Sequence, residues 1–523
     1  MRMTIRKGPA LPNWLWLLVS GCLTILAFPP FPTGFLAYFS LLPLIYVLVR
    51  DDFHLALEKG FLFGVVLNAG LMYWLAFNSG TEWYWALLSM IASVLFLALN
   101  YALISWLIGI IGRRLGKQAA LLSLPFIYAA VEFVRSYGVM GFTWNNLAYT
   151  QSRALPLIQM AAFAGTFGIT LWIVWINVLL FLLLESANRR RSFRLVTILM
   201  LVFLVPTLVG LIRMRSYPSD PDRPSAQIGW IQPNVDPNQK WGRKLFDRNM
   251  QQLLDMTDAV TAEPCDLVIW PETATPTYLR KNWRGTLDRI LRHITRRDVH
   301  LLTGVPDYEW HSEEGLKVYN AAFFLAPNSR RIQDYRKIQL VPMGEYVPLN
   351  SLFPSLQEIN MGQGNFTPGH EVKVFDLPLR FSGRASVDSS LAFSCGICFE
   401  SSFSHIIREG ARKGSELLVI ITNDSWFGLT SGPYIHAEIA RFRAIENGIP
   451  VVRCGNTGVS MVIDPLGRVR QQLDFGRLGY IRAEVPQGRP TTLFVKFGNW
   501  IGYLCVGITG ILLIFSISKR KNQ

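Results

Sequence analysis

Cys398 is the residue of this chain best equipped for nucleophilic chemistry. It stands in Ser394-Cys395-Gly396-Ile397-Cys398-Phe399-Glu400. The alternating run Ala385–Phe393 ahead of it predicts a strand, and Ser401–Glu409 behind it predicts the start of a helix. A strand-to-helix corner projects a side chain into a cleft, and a helix N-terminus lowers a thiol's pKa. Upstream, Glu272 in Trp270-Pro271-Glu272-Thr273 follows the apolar run Leu267-Val268-Ile269. It should emerge at the C-terminal edge of a buried strand, where α/β sheets carry active residues. Lys337, in Tyr335-Arg336-Lys337, lies between the two. A free thiol has a pKa of about 8.5 and needs a base or a positive neighbour to react. A desolvated Glu272 can take that proton and return it to a leaving oxygen. Lys337, with the backbone N–H of Phe399, can hold the oxyanion of a tetrahedral intermediate.

Each of these residues has a plainer reading when taken alone. Glu272 can be a solvated carboxylate at a strand end, Lys337 a surface charge and Cys398 a buried small residue. The pair Cys395/Cys398 forms a C-x-x-C, which also suits a redox dithiol at a helix start. It could be half of a zinc site, but no matching Cys/His pair is evident. Cys395 can equally be an inward-facing strand residue. The order and context of the three groups, more than any one of them, favour catalysis.

The elements that must position them are of two kinds. The chain has 523 residues, half of them hydrophobic, too apolar for an ordinary soluble protein. Apolar runs at about 13–29, 34–49, 60–78, 84–111, 119–136, 157–184, 195–212 and 494–517 predict eight membrane spans of roughly 20 residues. The second is the shortest and sits beside Asp51-Asp52. The formal charge of +15 invites a nucleic-acid reading. Yet the basic clusters Arg2/Arg6/Lys7, Arg113/Arg114/Lys117, Arg189–Arg191/Arg194 and Lys519–Lys521 flank the apolar runs, so no nucleic-acid partner is expected. The first run ends at Pro29-Pro30-Phe31-Pro32 without a small-x-small cleavage site and reads as a retained span. Six scattered cysteines make a disulfide framework unlikely to be the organising device.

With the N-terminus in the cytoplasm, every basic loop and the C-terminal tail fall on the cytoplasmic side. Residues 213–493 then form an extracytoplasmic domain between a seven-helix bundle (1–212) and a last span with its tail (494–523). Within that domain Ala226–Ile231, Leu267–Ile269, His300–Gly304, Ala321–Leu325 and Leu417–Thr422 predict buried strands. Arg243–Val260 and Arg284–Arg297 predict amphipathic helices. Strands interleaved with helices argue for an α/β sandwich. Asn350–His370 mixes apolar residues with Gly and Pro and no period, as a mobile lid or a packed surface loop would.

A Glu, a Lys and a Cys in these contexts resemble the nitrilase superfamily. With the spans around them they are similar to its membrane-embedded apolipoprotein N-acyltransferase family. Gln232-Pro233-Asn234 with Lys240-Trp241, Asn423-Asp424-Ser425-Trp426-Phe427-Gly428, His436, Arg443-Ala444-Ile445-Glu446-Asn447-Gly448, Arg453, Asn456 and Gly141-Phe142-Thr143-Trp144 carry the resemblance further. Gln339 and Phe399 depart from it, where His and Tyr would be expected. The resemblance implies a nitrilase-like αββα sandwich in the periplasm, on an eight-helix bundle in the bacterial inner membrane. It implies catalytic Glu272, Lys337 and Cys398, with Glu345 and Glu400 in support and Trp144 and Trp241 as substrate contacts. Acyl transfer would run from a phospholipid, through a thioester on Cys398, to the α-amine of the diacylglyceryl-cysteine of an apolipoprotein. No metal and no cofactor are implied, and a monomer is expected. Rival readings are a membrane-tethered nitrilase or amidase, a thiol–disulfide oxidoreductase, and a non-enzymatic binding or transport protein. The last must explain why charge-bearing residues avoid the spans.

Overall fold

The computed structural model of the chain describes residues 11–217, 223–236, 243–281, 283–313, 315–347, 365–381 and 389–518. Trp241 and residues 350–364 of the candidate lid Asn350–His370 lie outside the described residues. The chain divides into two compact units. One comprises Met1–Ala76, Leu87–Tyr217 and Phe497–Gln523, the other Phe77–Ala86 and Pro218–Lys496.

The first unit is helical. Among the described residues six helices are long and apolar enough to cross a membrane: Ala56–Phe77, Trp83–Leu115, Lys117–Arg135, Ala161–Leu184, Arg189–Arg215 and Trp500–Ser518. The first two of the eight expected spans are shorter. Asn13–Ala27 has 15 residues, and the next run breaks into a 3-10 turn, Gly34–Tyr38, and a nine-residue helix, Leu42–Arg50. Prolines explain the breaks: Pro29, Pro30 and Pro32 lack the donors to prolong the first helix, and Pro43 opens the third piece. The run 157–184 also begins anew at Ala161, with a non-helical Gly165 (φ +65°) inside it. Glu132, on the helix Lys117–Arg135, is buried. It accepts from the Leu147 N–H at 2.8 Å and the Thr170 hydroxyl at 2.6 Å. Trp144 is 4 % exposed, its ring 5.1 Å from that of Trp74.

The second unit is a four-layer sandwich. Its strands are β1 (Ser225–Gln232), β2 (Leu267–Ile269), β3 (His300–His311), β4 (Gly315–Leu325), β5 (Ile332–Arg336), β6 (Val374–Pro378), β7 (Ser390–Ile397), β8 (Leu417–Thr422), β9 (Val451–Gly455), β10 (Ser460–Ile463), β11 (Val469–Leu473) and β12 (Gly479–Pro486). They form two six-stranded sheets, ordered β12-β1-β2-β3-β4-β5 and β11-β10-β9-β8-β7-β6. Because side chains alternate along a strand, each sheet has two apolar faces to cover. Ile228, Trp230, Leu267 and Ile269 of the first sheet meet Phe393, Cys395, Val419 and Ile421 of the second in one core. The outer face of the first sheet packs on the helices Arg243–Val260 and Asp288–Arg297 through Leu253, Ile290 and Ile294. The outer face of the second packs on the helix Ser431–Asn447 through Ala437, Ala440 and Ala444.

The parallel triplets β1-β2-β3 and β7-β8-β9 place their C-terminal ends along one edge of each sheet. The functional corners leave from those edges. The strand expected at 385–393 lies further on, at Ser390–Ile397, because β7 pairs with β8 up to Ile397↔Ile421. A 3-10 turn, Cys398–Ser402, then precedes the helix Ser404–Arg412, so the helix expected at 401 begins later.

Candidate active site

Glu272 leaves the end of β2 in a tight bend. Trp270 N–H still donates to Leu302 O (2.8 Å), and Thr273 takes a left-handed φ of +51°. The bend lies on β3 at Gly304. A Cβ there would stand 2.6 Å from the Glu272 Cα and 2.6 Å from the Thr273 N, closer than real contacts allow. Only glycine lets the Glu272 backbone settle at this depth. Gly304→Ala is therefore expected to displace Glu272 and lower turnover by about 10²-fold, since a shift of about 1 Å at a reacting group costs that much. The fold should survive, and comparing turnover with the melting temperature of the purified variant checks both.

Lys337 follows β5 directly, held by its N–H to Asn320 O (2.9 Å) and by the Gly369 N–H on its carbonyl (2.7 Å). At 1 % exposure its ammonium has left water entirely. Two carboxylates replace that water: Nζ lies 2.8 Å from Glu345 and 3.5 Å from Glu272 Oε1. Burial alone would lower the Lys337 pKa. Glu345, Glu272 and the nearby Cys398 outweigh it and raise the pKa, so the amine stays protonated. The Asn320 amide bridges the two acids, donating at 2.8 Å to Oε1 of each. Glu345 also accepts from the Val341 N–H at 2.9 Å, which fixes its turn.

Cys398 sits at the β7 corner with a left-handed φ of +53°, costly for a residue with a Cβ and typical of a strained functional position. It is partly exposed, whereas Cys395, three residues earlier, points into the core between the sheets. Burial and the charge of Glu272 push the Cys398 thiol above its ordinary pKa, while Lys337 and the Thr422 hydroxyl act in the opposite sense. The group therefore waits as a thiol, with the charges of Glu272 and Lys337 both acting on it. Burial also drives the Cys395 thiol well up, which unfits it as the attacking half of a dithiol.

Glu400 braces the corner from below. Its carboxylate accepts from the Tyr335 hydroxyl (2.6 Å), the Ile338 N–H (3.0 Å) and the Ile397 N–H (2.8 Å), which ties the Lys337 loop to the Cys398 turn. Burial pushes its pKa up to about 7, and the three donors and Lys337 pull against that rise. Between the ordinary carboxyl value and about 7, the folded protein keeps this proton while the unfolded chain has lost it. Folding stability should therefore be greatest below that window and fall as pH rises through it. Glu400→Gln is expected to remove this component, as melting curves of both proteins from pH 4 to 8 will show.

The structure thus brings Glu272, Lys337, Glu345, Cys398 and Glu400 together in one place. The Phe399 N–H belongs to the first turn of the 3-10 segment, and its ring packs on Phe403 at 5.1 Å. Trp144 belongs to the helical unit. Sequence reasoning missed Asn320, Thr422 and the full part played by Asp424, His436 and Arg453. Asn320 had a visible signal: a lone amide opening the apolar run Ala321–Leu325. Cys398, Asp424 and His436 bring donor atoms within 4.8 Å of one another, a spacing a metal could use. The Arg453 guanidinium already supplies the cation there, 2.6 Å from Asp424 and 3.1 Å from His436 Nδ1, so this donor set does not suit a metal ion.

Residues 229–492 match the carbon-nitrogen hydrolase family, and residues 20–179 match the apolipoprotein N-acyltransferase N-terminal domain. Over 538 aligned residues the chain is 31 % identical to the apolipoprotein N-acyltransferase of Geobacter metallireducens, covering 100 % of this chain and 98 % of that one. It is 29 % identical to the enzyme of that name from Chlorobaculum tepidum, over 96 % of both chains. Among solved structures, an amidase from Nesterenkonia sp. aligns at 18 % identity with a TM-score of 0.36, covering 50 % of this chain and 90 % of that one. The two stacked sheets and the hydrolase match make the second unit a nitrilase-like αββα sandwich. Matched in both units and along its whole length, the chain belongs to the apolipoprotein N-acyltransferase family.

Proposed function

We propose that this membrane acyltransferase moves a fatty acyl chain from a phospholipid to an apolipoprotein in two half-reactions on Cys398. In the first, the thiol attacks the ester carbonyl and its proton passes to Glu272. The oxyanion forms against the Lys337 ammonium and the Phe399 N–H, each such donor contributing about 3–4 kcal/mol in the transition state. The C–O bond then breaks, Glu272 returns the proton to the leaving oxygen, and lysophospholipid departs from an S-acyl cysteine. In the second, the α-amine of the N-terminal diacylglyceryl-cysteine attacks the thioester and Glu272 takes its proton. The C–S bond breaks, the thiolate recovers the proton, and an amide remains. An amide is far less reactive than a thioester, which makes the transfer one-way.

One observation carries this reading: a buried Glu–Lys pair 3.5 Å apart, its charges acting on a partly exposed cysteine at a strained corner. Glu345 holds Lys337 in place, and Glu400 fixes the loops around it. The basic loops support placing the globular unit in the periplasm of a bacterium with the helices in the inner membrane, and the protein acts as a monomer on this reading.

The test is to incubate the full-length protein in nanodiscs with acyl-labelled phospholipid and weigh the digest peptide that contains Cys398. An acyl adduct that is discharged by a diacylglyceryl-cysteine peptide and survives in water supports the proposal. Absence of label, with hydrolysis of a soluble amide instead, would assign the site to a tethered hydrolase.

A further inference from the structure

Next to Cys398 lies a second polar cluster that the acyl-transfer chemistry above leaves unused. Asp424 opens the short turn after β8 and is fully buried. Burial would raise its pKa, but Arg453 on β9 and His436 on the helix Ser431–Asn447 more than reverse this and hold it well below the carboxylate range. Its two oxygens are divided. Oδ2 takes the Arg453 guanidinium at 2.6 Å. Oδ1 receives the Thr422 hydroxyl at 3.0 Å and lies 2.9 Å from His436 Nδ1.

Both partners of Oδ1 lead on to Cys398. The Thr422 side chain lies close enough to the Cys398 thiol to act on its ionisation. His436 Nε2 lies 3.1 Å from the Cys398 backbone carbonyl and 3.1 Å from the Ser401 hydroxyl. A carbonyl oxygen and a carboxylate oxygen only accept, so Nε2 donates to Cys398 and Nδ1 to Asp424 in these contacts. The residue held this way is the one with φ of +53°, a conformation that persists only where its surroundings enforce it.

We propose that Asp424 is a positioning residue: through Thr422 at the thiol and His436 at the carbonyl, it fixes both ends of Cys398 in the attacking geometry. The inference rests on Cys398 as nucleophile and adds what aims it. Thr422 and His436 transmit the constraint, and Arg453 keeps Asp424 charged and immobile. None of the three meets the substrate.

Four substitutions test it in the full-length protein. His436→Leu and Thr422→Val each delete one link with nearly the same volume, while His436→Gln and Thr422→Ser keep a donor at the same place. The readout is single-turnover acylation of the Cys398 peptide across a range of phospholipid concentration, alongside melting temperature. The deletions should each slow acylation at saturating donor by about tenfold, the size of one lost hydrogen bond, with the half-saturating concentration unchanged. The conservative pair should restore most of the rate. Equal losses in both pairs would mean packing alone, and unchanged rates in all four would mean no role; either result overturns the proposal. Should His436→Leu fail to fold, Thr422→Val decides the question by itself. Label on a peptide lacking Cys398 would show in the same digest, and would bring down the nucleophile assignment together with this one.

Discussion

Cys398→Ala is expected to abolish acyl-enzyme formation, while Cys395→Ala retains it. The two thiols are three residues apart and differ in exposure, Cys398 partly exposed and Cys395 buried. One lies at the corner under the influence of Glu272 and Lys337, the other within the inter-sheet core beside Ile397 and Val419. Removing the buried sulfur should cost about 1 kcal/mol of stability and little rate. The corner adds a second measurable effect. A left-handed φ is costly for any residue with a Cβ, so Cys398→Gly should be inactive yet more stable than Cys398→Ala, by about 1 kcal/mol. Mass analysis after labelled phospholipid gives the first result, and thermal melting the second. An acylated Cys398→Ala protein, or an inert Cys395→Ala one, would refute the assignment.

Lys337→Met should be nearly as severe, and for two separable reasons. Chemically, it removes the cation proposed to steady both thiolate and oxyanion, a loss of about 10³-fold or more in acylation rate. Energetically, it strands Glu272 and Glu345, which share one Asn320 amide and one ammonium in a site closed to water. Breaking a buried ion pair from one side costs about 3–5 kcal/mol. In the variant a carboxyl must take up a proton to fold, which raises its folded-state pKa above the unfolded value. The lost stability should therefore return as pH falls, and melting temperature against pH reads that slope directly. Lys337→Arg should not rescue the rate, because a planar fork cannot occupy the space of a compact ammonium between two acids. A variant that keeps the wild-type rate, or whose melting ignores pH, would contradict this account.

Much of this architecture was written in short apolar runs. Leu267–Ile269 and Leu417–Thr422 are strands with the bounds their composition suggests, because each is buried on both faces and needs no alternation. The amphipathic helix at 243–260 was equally plain. Strands that sit at sheet edges gave no such signal. Val469–Leu473 and Gly479–Pro486 carry Arg, Gln and Glu on an exposed face, so pairing with a neighbour, and not composition, makes them strands. The helical unit erred in the other direction: hydropathy counted 34–49 as one run, while Pro43 restarts the helix inside it. At the site, Glu272 and Cys398 each follow a buried strand, whereas Lys337 follows the mixed strand Ile332–Arg336 and stood out only by its place between the other two. Thr422 and His436 were not legible, since their value lies in a carboxylate they share across the fold. No spacing along the chain encodes that meeting.

The pairing of β1 with β12 has a consequence for how the polypeptide may be shortened. Ser225 lies opposite Pro486, so the first strand of the sandwich is zipped along all eight residues by the last one made. A ribosome that stopped after Leu473 would omit more than a final anchor. It would leave Ser225–Gln232 with a bare flank of amides and carbonyls, an invitation to pair with another molecule. Nonsense alleles late in the reading frame should thus yield clumped, protease-sensitive product and not a merely untethered enzyme.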